Sequence, residues 1–125
     1  MVYSIHDVAK QFQISEHTIR FYDKEGLFPF LSRNKIGNRE FTESDLEWLQ
    51  LVFCLKNTGM KIKEIRQYME LCQAGEDTLQ QRKNIFIHHR DFILKQMEQL
   101  KESLKLVDAK IAFYDDSNMR QRFER

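Results

Sequence analysis

The stretch SIHDVAKQFQISEHTIRFYDKEG, residues 4–26, decides the fold of the first part of this 125-residue chain. Ser4 followed by Asp7 predicts a capping box at the start of one helix, and Ser15 predicts the N-cap of a second. Gly26 is placed to end the second helix in the left-handed conformation. Only a few residues separate the two segments. Two short helices joined by a tight turn indicate a helix-turn-helix.

The next segment favours a short β-hairpin, which we call the wing. Pro29 blocks continuation of the helix, and Gly37 with Asn38 offers a turn between apolar residues. The wing would carry three basic residues: Arg33, Lys35 and Arg39.

Two further helices are predicted after the wing. Thr42 and Asp45 form a capping box for a third helix, which Gly59 would end. A fourth helix is expected to begin near Lys61 and to stop at Gly75.

From Asp77 onward the apolar residues recur in heptads, without glycine or proline as far as Asp116. The pattern predicts a single helix about 60 Å long with a coiled-coil seam. A second copy of the helix is the expected partner, and packing against the third and fourth helices is the alternative. The predicted dimerisation residues are Leu79, Phe86, Ile93, Met97, Leu100, Leu104, Val107 and Ile111.

The predicted fold class is therefore mainly α. We expect a winged helix-turn-helix domain over residues 1–75, with the short β-hairpin as its wing. A long dimerisation helix and a charged tail would follow over residues 76–125.

The charge distribution gives only a local sign of nucleic-acid binding. Net charge is +1, and residues 1–75 carry ten basic and ten acidic side chains. The segment from His17 to Arg39, however, contains five basic residues and only two acidic ones. This basic stripe is compatible with phosphate binding or with an ordinary solvated surface.

Other classes find little support in the sequence. No apolar run is long enough to span a membrane and the first residues do not resemble a signal peptide, so a cytoplasmic location is expected. Cys54 and Cys72 form neither a disulfide framework nor a metal-binding pair. No nucleophile-base pair or phosphate-binding loop indicates an enzyme or a cofactor.

The second helix has residues suited to a DNA groove. Arg20 and Thr18 would reach the groove, while the ring of Tyr22 packs and its hydroxyl contacts a phosphate. We expect three neighbouring apolar residues to be core: Phe21, Leu27 and Phe28.

These motifs together resemble the MerR family of bacterial transcription regulators. The likeness runs through SIHDVAKQFQISEHTIRFYDKEGLFP, the wing sequence GNREFTESDL and the later LKNTGMKIKEI, and covers residues 3–75. It implies a winged helix-turn-helix homodimer linked by an antiparallel coiled coil. Such a dimer would bind a palindromic operator between two promoter elements and distort the DNA for RNA polymerase.

The resemblance also implies DNA-contacting residues. Arg20 and Tyr22 fall on the Arg-x-Tyr of the family's recognition helix, and Arg33 and Arg39 fall on arginines of the wing region. His17 and Thr18 lie where groove-facing residues occur.

Two positions depart from the family pattern. Gln13 stands where the turn usually has glycine, which would cost about 1 kcal/mol if the turn requires a positive φ. Phe41 replaces the commoner wing tyrosine, so we do not expect it to contact DNA.

The run FCLKNTGM resembles a branch of the family that keeps a lone cysteine in the third helix and responds to aldehydes or other electrophiles. A Cys54 thiolate beside Lys56 could add to an electrophile; alternatively, Cys54 is a small buried apolar residue. Cys72 is expected to be passive. His88 and His89 are adjacent on a helix and point apart, so they do not predict a metal site.

The leading function is a dimeric, DNA-binding transcription regulator. The alternative is a coiled-coil adaptor that binds other proteins without specific DNA binding.

Overall fold

The computed structural model describes residues 1–33 and 39–118, with side chains from Ser32 to Arg33 left out. The predicted wing turn at Gly37 and Asn38, and the wing residue Lys35, lie outside the described residues. The mainly helical fold is confirmed. Its elements are α1 (Ile5–Phe12), α2 (Glu16–Lys24), β1 (Ser32–Arg33), β2 (Arg39–Glu40), α3 (Glu43–Asn57), α4 (Ile62–Ala74), a 3-10 turn (Glu76–Thr78) and α5 (Leu79–Asp115).

Hydrogen bonds from serine side chains start α1 and α2. The Ser4 hydroxyl accepts from the Asp7 amide at 3.1 Å, and the Asp7 carboxylate accepts from the Ser4 amide at 3.0 Å. The hydrogen bond from the Ser4 amide holds the pKa of Asp7 below its usual value. The Ser15 hydroxyl accepts from the Thr18 amide at 3.0 Å. Both predicted caps are confirmed.

The turn between α1 and α2 requires a left-handed residue. Gln13 has φ 57° and ψ 43°, and it is the one non-glycine residue with positive φ in the described part of the chain. The Ile14 amide closes the turn by donating to the Ala9 carbonyl at 3.1 Å. The turn therefore does impose the strain expected of glutamine at this position.

The recognition helix α2 ends in a Schellman motif. Gly26 has φ 83°, its amide donates to the Asp23 carbonyl at 3.0 Å, and the Leu27 amide donates to the Tyr22 carbonyl at 3.1 Å. Arg66 of α4 adds a hydrogen bond of 2.6 Å from Nε to the Glu25 carbonyl. The end of α2 is thus fixed by its own backbone and by α4.

The predicted wing forms a short antiparallel pair of strands. Arg33 pairs with Arg39 across β1 and β2, and Ser32 pairs with Glu40. Just beyond β2, the Phe41 backbone exchanges two hydrogen bonds with Tyr3, of 2.7 and 3.0 Å. This bridge ties the end of the wing to the segment before α1.

The core beneath α2 is built around an aromatic cluster on Phe53 of α3. Its ring centroid lies 5.0 Å from that of Phe12, 6.3 Å from that of Tyr22 and 6.5 Å from that of Phe28. The largest fully buried side chains are Val8, Ile19, Leu27, Phe41, Leu49, Val52, Met60, Ile65 and Met69.

The prediction that Phe21 belongs to the core is wrong. Leu27 and Phe28 are buried as expected, but Phe21 is 44% exposed. Ile19 directs α2 into the core, and Phe21 follows it by two residues, about 200° around the helix. The ring of Phe21 therefore points away from the domain interior.

The later helices begin and end close to the predicted residues. Thr42 and Asp45 form the expected capping box of α3, and Gly75 follows α4 with φ 101°. The chain divides into two compact units, Met1–Ile85 and Phe86–Arg125. The boundary proposed from sequence, between residues 75 and 76, stays a prediction.

The uninterrupted long helix is confirmed, and its apolar seam is open in the single chain. Leu79 is 56% exposed, and five later seam residues are between 55% and 70% exposed. These five residues are Met97, Leu100, Leu104, Val107 and Ile111. The two remaining seam residues, Phe86 and Ile93, are half-buried. Within residues 1–33 and 39–118, no helix combines the length and apolar character needed to cross a membrane.

Candidate nucleic-acid interface

The outer face of α2 gathers basic residues, two of which, His17 and Arg20, are predicted to contact DNA. His17, Arg20, Phe21 and Lys24 recur at three- and four-residue spacing, so they share one side of the helix. Together with Asp23 and Arg39 of β2 they line an open groove of about 460 Å³. The fold therefore brings three predicted contact residues to one surface: His17, Arg20 and Arg39.

Arg20 is held in place by a carboxylate of its own helix. Its Nη2 lies 3.0 Å from Oε1 of Glu16, one turn earlier, and its side chain remains 52% exposed. The other oxygen of Glu16 lies 3.4 Å from Nδ1 of His6. Glu16 thus partly neutralises Arg20 on the surface that would face DNA.

Arg39 is more enclosed than a free phosphate-binding arginine would be. Its Nε donates to Oδ2 of Asp23, with the two side chains 20% and 14% exposed. The pair connects β2 with α2, so Arg39 both contributes charge to the groove and fixes the wing against the recognition helix.

Thr18 and Tyr22 lie on another side of α2. Oγ1 of Thr18 is 2.8 Å from Oγ of Ser15, and the Tyr22 ring joins the aromatic cluster. Both residues border a second depression of about 270 Å³, which also exposes Cys54 of α3. The predicted contact residues are therefore divided between two neighbouring surfaces. The side chain of Arg33 and all of Lys35 lie outside the described residues.

The exposure of Cys54 contradicts one of the two interpretations of this residue. The thiol is exposed, so the prediction of a small buried apolar residue is wrong. The neighbouring Phe53 and Leu55 point into the core, which turns the side chain between them outward.

Cys72 has a different setting. It is half-buried and hydrogen-bonded to Tyr68 of the same helix. Burial, together with this hydrogen bond, raises the pKa of Tyr68 to about 12.

No cluster of three or more histidine, cysteine or acidic side chains that could hold a metal ion occurs in residues 1–33 and 39–118.

Four residues of the interface were not predicted as contacts from sequence, and one of them, Lys24, lies on the outer face of α2. Glu16 and Asp23 form ion pairs with the predicted contact arginines, and Phe21 is exposed between them. The spacing of four residues between Glu16 and Arg20 is a recognisable signal for an ion pair. The partners of Arg39 and the exposure of Phe21 depend on packing between distant segments.

Sequence profiles agree with this architecture. The profile of the MerR HTH family regulatory proteins matches residues 3–72, and that of the MerR DNA-binding region matches residues 46–112. The chain belongs to the MerR family. It is a DNA-binding transcription regulator of the helix-turn-helix type.

Relatives of this MerR-family chain extend the likeness over most of its length. An uncharacterised HTH-type transcriptional regulator of Haemophilus influenzae is 44% identical over 114 residues, which cover 91% of this chain and 84% of that protein. The regulator AdhR of Bacillus subtilis is 34% identical over 92 residues, covering 74% of this chain and 66% of AdhR.

A solved structure extends the comparison to three dimensions. HiNmlR, a MerR family regulator lacking the sensor domain, has been crystallised bound to promoter DNA. It superimposes on this chain with a TM-score of 0.86 and 43% identity, covering 92% of this chain and 91% of HiNmlR.

Proposed function

We propose that this MerR-family chain binds a palindromic promoter operator as a homodimer and controls transcription by distorting the DNA between two promoter elements. RNA polymerase would be its partner at the promoter, in the cytoplasm. The observation that carries the proposal is the groove on α2, where His17, Arg20, Lys24 and Arg39 surround one surface. The likeness to HiNmlR, which has been crystallised bound to promoter DNA, also supports the proposal that this chain binds promoter DNA.

The proposed contacts differ in kind. Arg20 and His17 would enter the major groove, because they project from the outer face of a helix whose other side is anchored in the core. Thr18 would also reach the groove, and the hydroxyl of Tyr22 would contact the sugar-phosphate backbone at the edge of that helix. The wing would supply phosphate contacts from Arg33, Lys35 and Arg39.

The homodimer is proposed from the seam of α5. Met97, Leu100 and Leu104 are all more than half exposed in the single chain, and they lie on the part of α5 that belongs to the second compact unit. A second copy in antiparallel orientation would cover these residues with seam residues of its own α5. The adaptor alternative would use the same seam but has no role for the basic groove on α2.

A titration of operator DNA tests the DNA-binding part. Fluorescence anisotropy would be recorded with DNA from upstream of the gene, with random duplex, and at several salt concentrations. We expect selective binding that weakens steeply with salt, because phosphate contacts release counterions. The double variant Arg20→Ala, Arg39→Ala should lose this binding but remain a dimer by light scattering.

The matched control removes a basic residue elsewhere. Lys105 of α5 is exposed and paired with Glu102 at 3.1 Å, much as Arg20 is paired with Glu16. Lys105→Ala should therefore leave operator affinity nearly unchanged. A double variant that keeps wild-type affinity would show that the contact residues are assigned wrongly.

We further propose that Cys54 senses thiol-reactive electrophiles such as aldehydes. Cys54 is exposed, and its depression is shared with Thr18 and Tyr22 of the recognition helix. An adduct there would lie against α2 itself, so it could alter how the helix meets DNA. Replacing Cys54 with serine should preserve operator binding and abolish the aldehyde response.

A further inference from the structure

The outer face of α2 contains one apolar residue that the charged groove leaves unexplained. Phe21 is 44% exposed and lies beside Arg20, with His17 and Lys24 one turn to either side. All four residues line the same groove of about 460 Å³. The ring is therefore placed in the centre of the surface that the proposed function assigns to DNA.

Among the described residues, the aromatic packing of Phe21 is limited in extent. The ring contact described for Phe21 is with Tyr22, at 5.9 Å between centroids and a tilt of 51°. The aromatic cluster on Phe53 is formed by other rings. A single exposed apolar side chain is common on protein surfaces, so exposure alone decides nothing. Its location among groove-facing basic residues is what indicates a role.

The chemistry of the major groove offers a specific partner for such a ring. Base edges there present hydrogen-bond donors and acceptors, and the C5-methyl group of thymine is the apolar group among them. Phosphates, by contrast, are recognised by cations and hydrogen-bond donors. A phenylalanine directed into the groove gains most from covering a thymine methyl group.

We propose that Phe21 is a specificity-determining residue that packs against the C5-methyl group of a thymine in each operator half-site. This inference rests on the proposed function, because it requires α2 to enter the major groove. Phe21 follows Arg20 directly, about 100° around the helix. The two side chains therefore reach neighbouring base pairs, and the thymine lies next to the position that Arg20 contacts.

Substitution of uracil for thymine tests the contact without changing the protein. An operator would be selected from a random duplex library by the wild-type chain, and each thymine would be replaced in turn by deoxyuridine. The exchange removes one methyl group and keeps every hydrogen bond of the base pair. We expect one symmetry-related pair of positions to lose about fourfold in affinity per methyl group, as burial of one methyl group predicts.

The variant Phe21→Ala completes the comparison. It should bind the thymine and uracil forms of that operator equally, because the side chain that senses the methyl group is gone. Phe21→Leu retains an apolar side chain and should keep part of the discrimination. Circular dichroism melting would confirm that both variants fold. If one variant does not fold, the uracil substitutions measured with the wild-type chain still test the contact.

Three outcomes separate the inference from the proposed function. Failure of the wild-type chain to select any operator would contradict the proposed function itself. Selection of an operator in which no deoxyuridine substitution weakens binding would overturn the role of Phe21 alone. The role of Phe21 would also be overturned if Phe21→Ala weakened binding but preserved the full preference for thymine over uracil. The ring would then act on the DNA backbone or on the stability of the fold.

Discussion

Arg39 on β2 donates from Nε to Oδ2 of Asp23 on α2, so an ion pair joins the wing to the recognition helix. The two side chains are 20% and 14% exposed, which shields the pair from solvent screening. The Schellman motif fixes the end of the same helix, and Gly26 lies three residues beyond Asp23. The ion pair therefore fixes β2 against α2 at Asp23.

Loss of this ion pair should reduce specificity more than total affinity. In Asp23→Asn the wing loses its charged anchor, while the groove gains one positive charge. We expect the ratio of operator binding to random-duplex binding to fall about tenfold, which corresponds to roughly 1.4 kcal/mol and is comparable to a hydrogen bond between charged groups. Anisotropy titrations with both duplexes give the ratio.

The control for this experiment is Asp108→Asn, which makes the same change of charge at an exposed position of α5. It should leave the ratio of operator to random binding unchanged. If Asp23→Asn instead tightens binding to both duplexes by the same factor, Asp23 acts only as a local negative charge and does not position the wing.

The contact between Glu16 and Arg20 should weaken DNA binding in the wild-type protein. Glu16→Gln removes the carboxylate 3.0 Å from Nη2 of Arg20. The pair is exposed, so its rupture costs less than about 1 kcal/mol. We expect operator affinity to rise between about twofold and fivefold. Anisotropy at low and moderate salt would measure the gain.

Glu102→Gln is the matched comparison, because Glu102 pairs with Lys105 at 3.1 Å in the same exposed manner. No gain in operator affinity is expected from it. A loss of tenfold or more in Glu16→Gln would contradict the prediction and would indicate that the carboxylate itself accepts a hydrogen bond from a base, as cytosine allows.

The turn between α1 and α2 stores strain that glycine would relieve. Gln13 is left-handed at φ 57°, where a side chain costs free energy and glycine does not. Gln13→Gly should raise the free energy of unfolding by about 1 kcal/mol. Urea unfolding at one fixed protein concentration would measure this, because any dimerisation contributes to stability.

A glutamine in the middle of a helix provides a control in which the same change to glycine should destabilise the protein. Gln50 lies on the exposed side of α3, and Gln50→Gly should lower stability by about 1 kcal/mol. Equal losses in both variants would mean that the turn does not require a left-handed residue in solution.

Local features were predictable from sequence because the interacting atoms are close along the chain. The capping box of Ser4 with Asp7 and that of Thr42 with Asp45 were both predicted and are both present. Each consists of hydrogen bonds across three residues, so the spacing alone determines them. The left-handed Gly26 follows from the same kind of local reasoning.

Side-chain exposure in the interface was not predictable in the same way. Phe21 was expected in the core because it is aromatic, yet the orientation of α2 is set by Ile19, which is fully buried. Arg39 and Asp23 are 16 residues apart, and only the folded wing brings them together. Both results depend on tertiary packing, which overrides residue type.

The two cysteines should differ in reactivity toward an alkylating reagent. Cys54 is exposed, whereas Cys72 is half-buried and hydrogen-bonded to Tyr68. Iodoacetamide should therefore modify Cys54 several times faster than Cys72, because the reagent reaches an exposed thiol more easily than a half-buried, hydrogen-bonded one. Mass spectrometry of peptides taken at successive times would give both rates.

Alkylation of Cys54 should also change operator binding. The added group must occupy the depression bordered by Thr18 and Tyr22, so it presses on the recognition helix. We expect treated wild-type protein to change in operator affinity or in transcript level in a transcription assay, while Cys54→Ser is unaffected and Cys72→Ser behaves like the wild type. An equal shift in treated Cys54→Ser would place the sensitive group elsewhere, and Cys54 would then be an exposed thiol without a regulatory role.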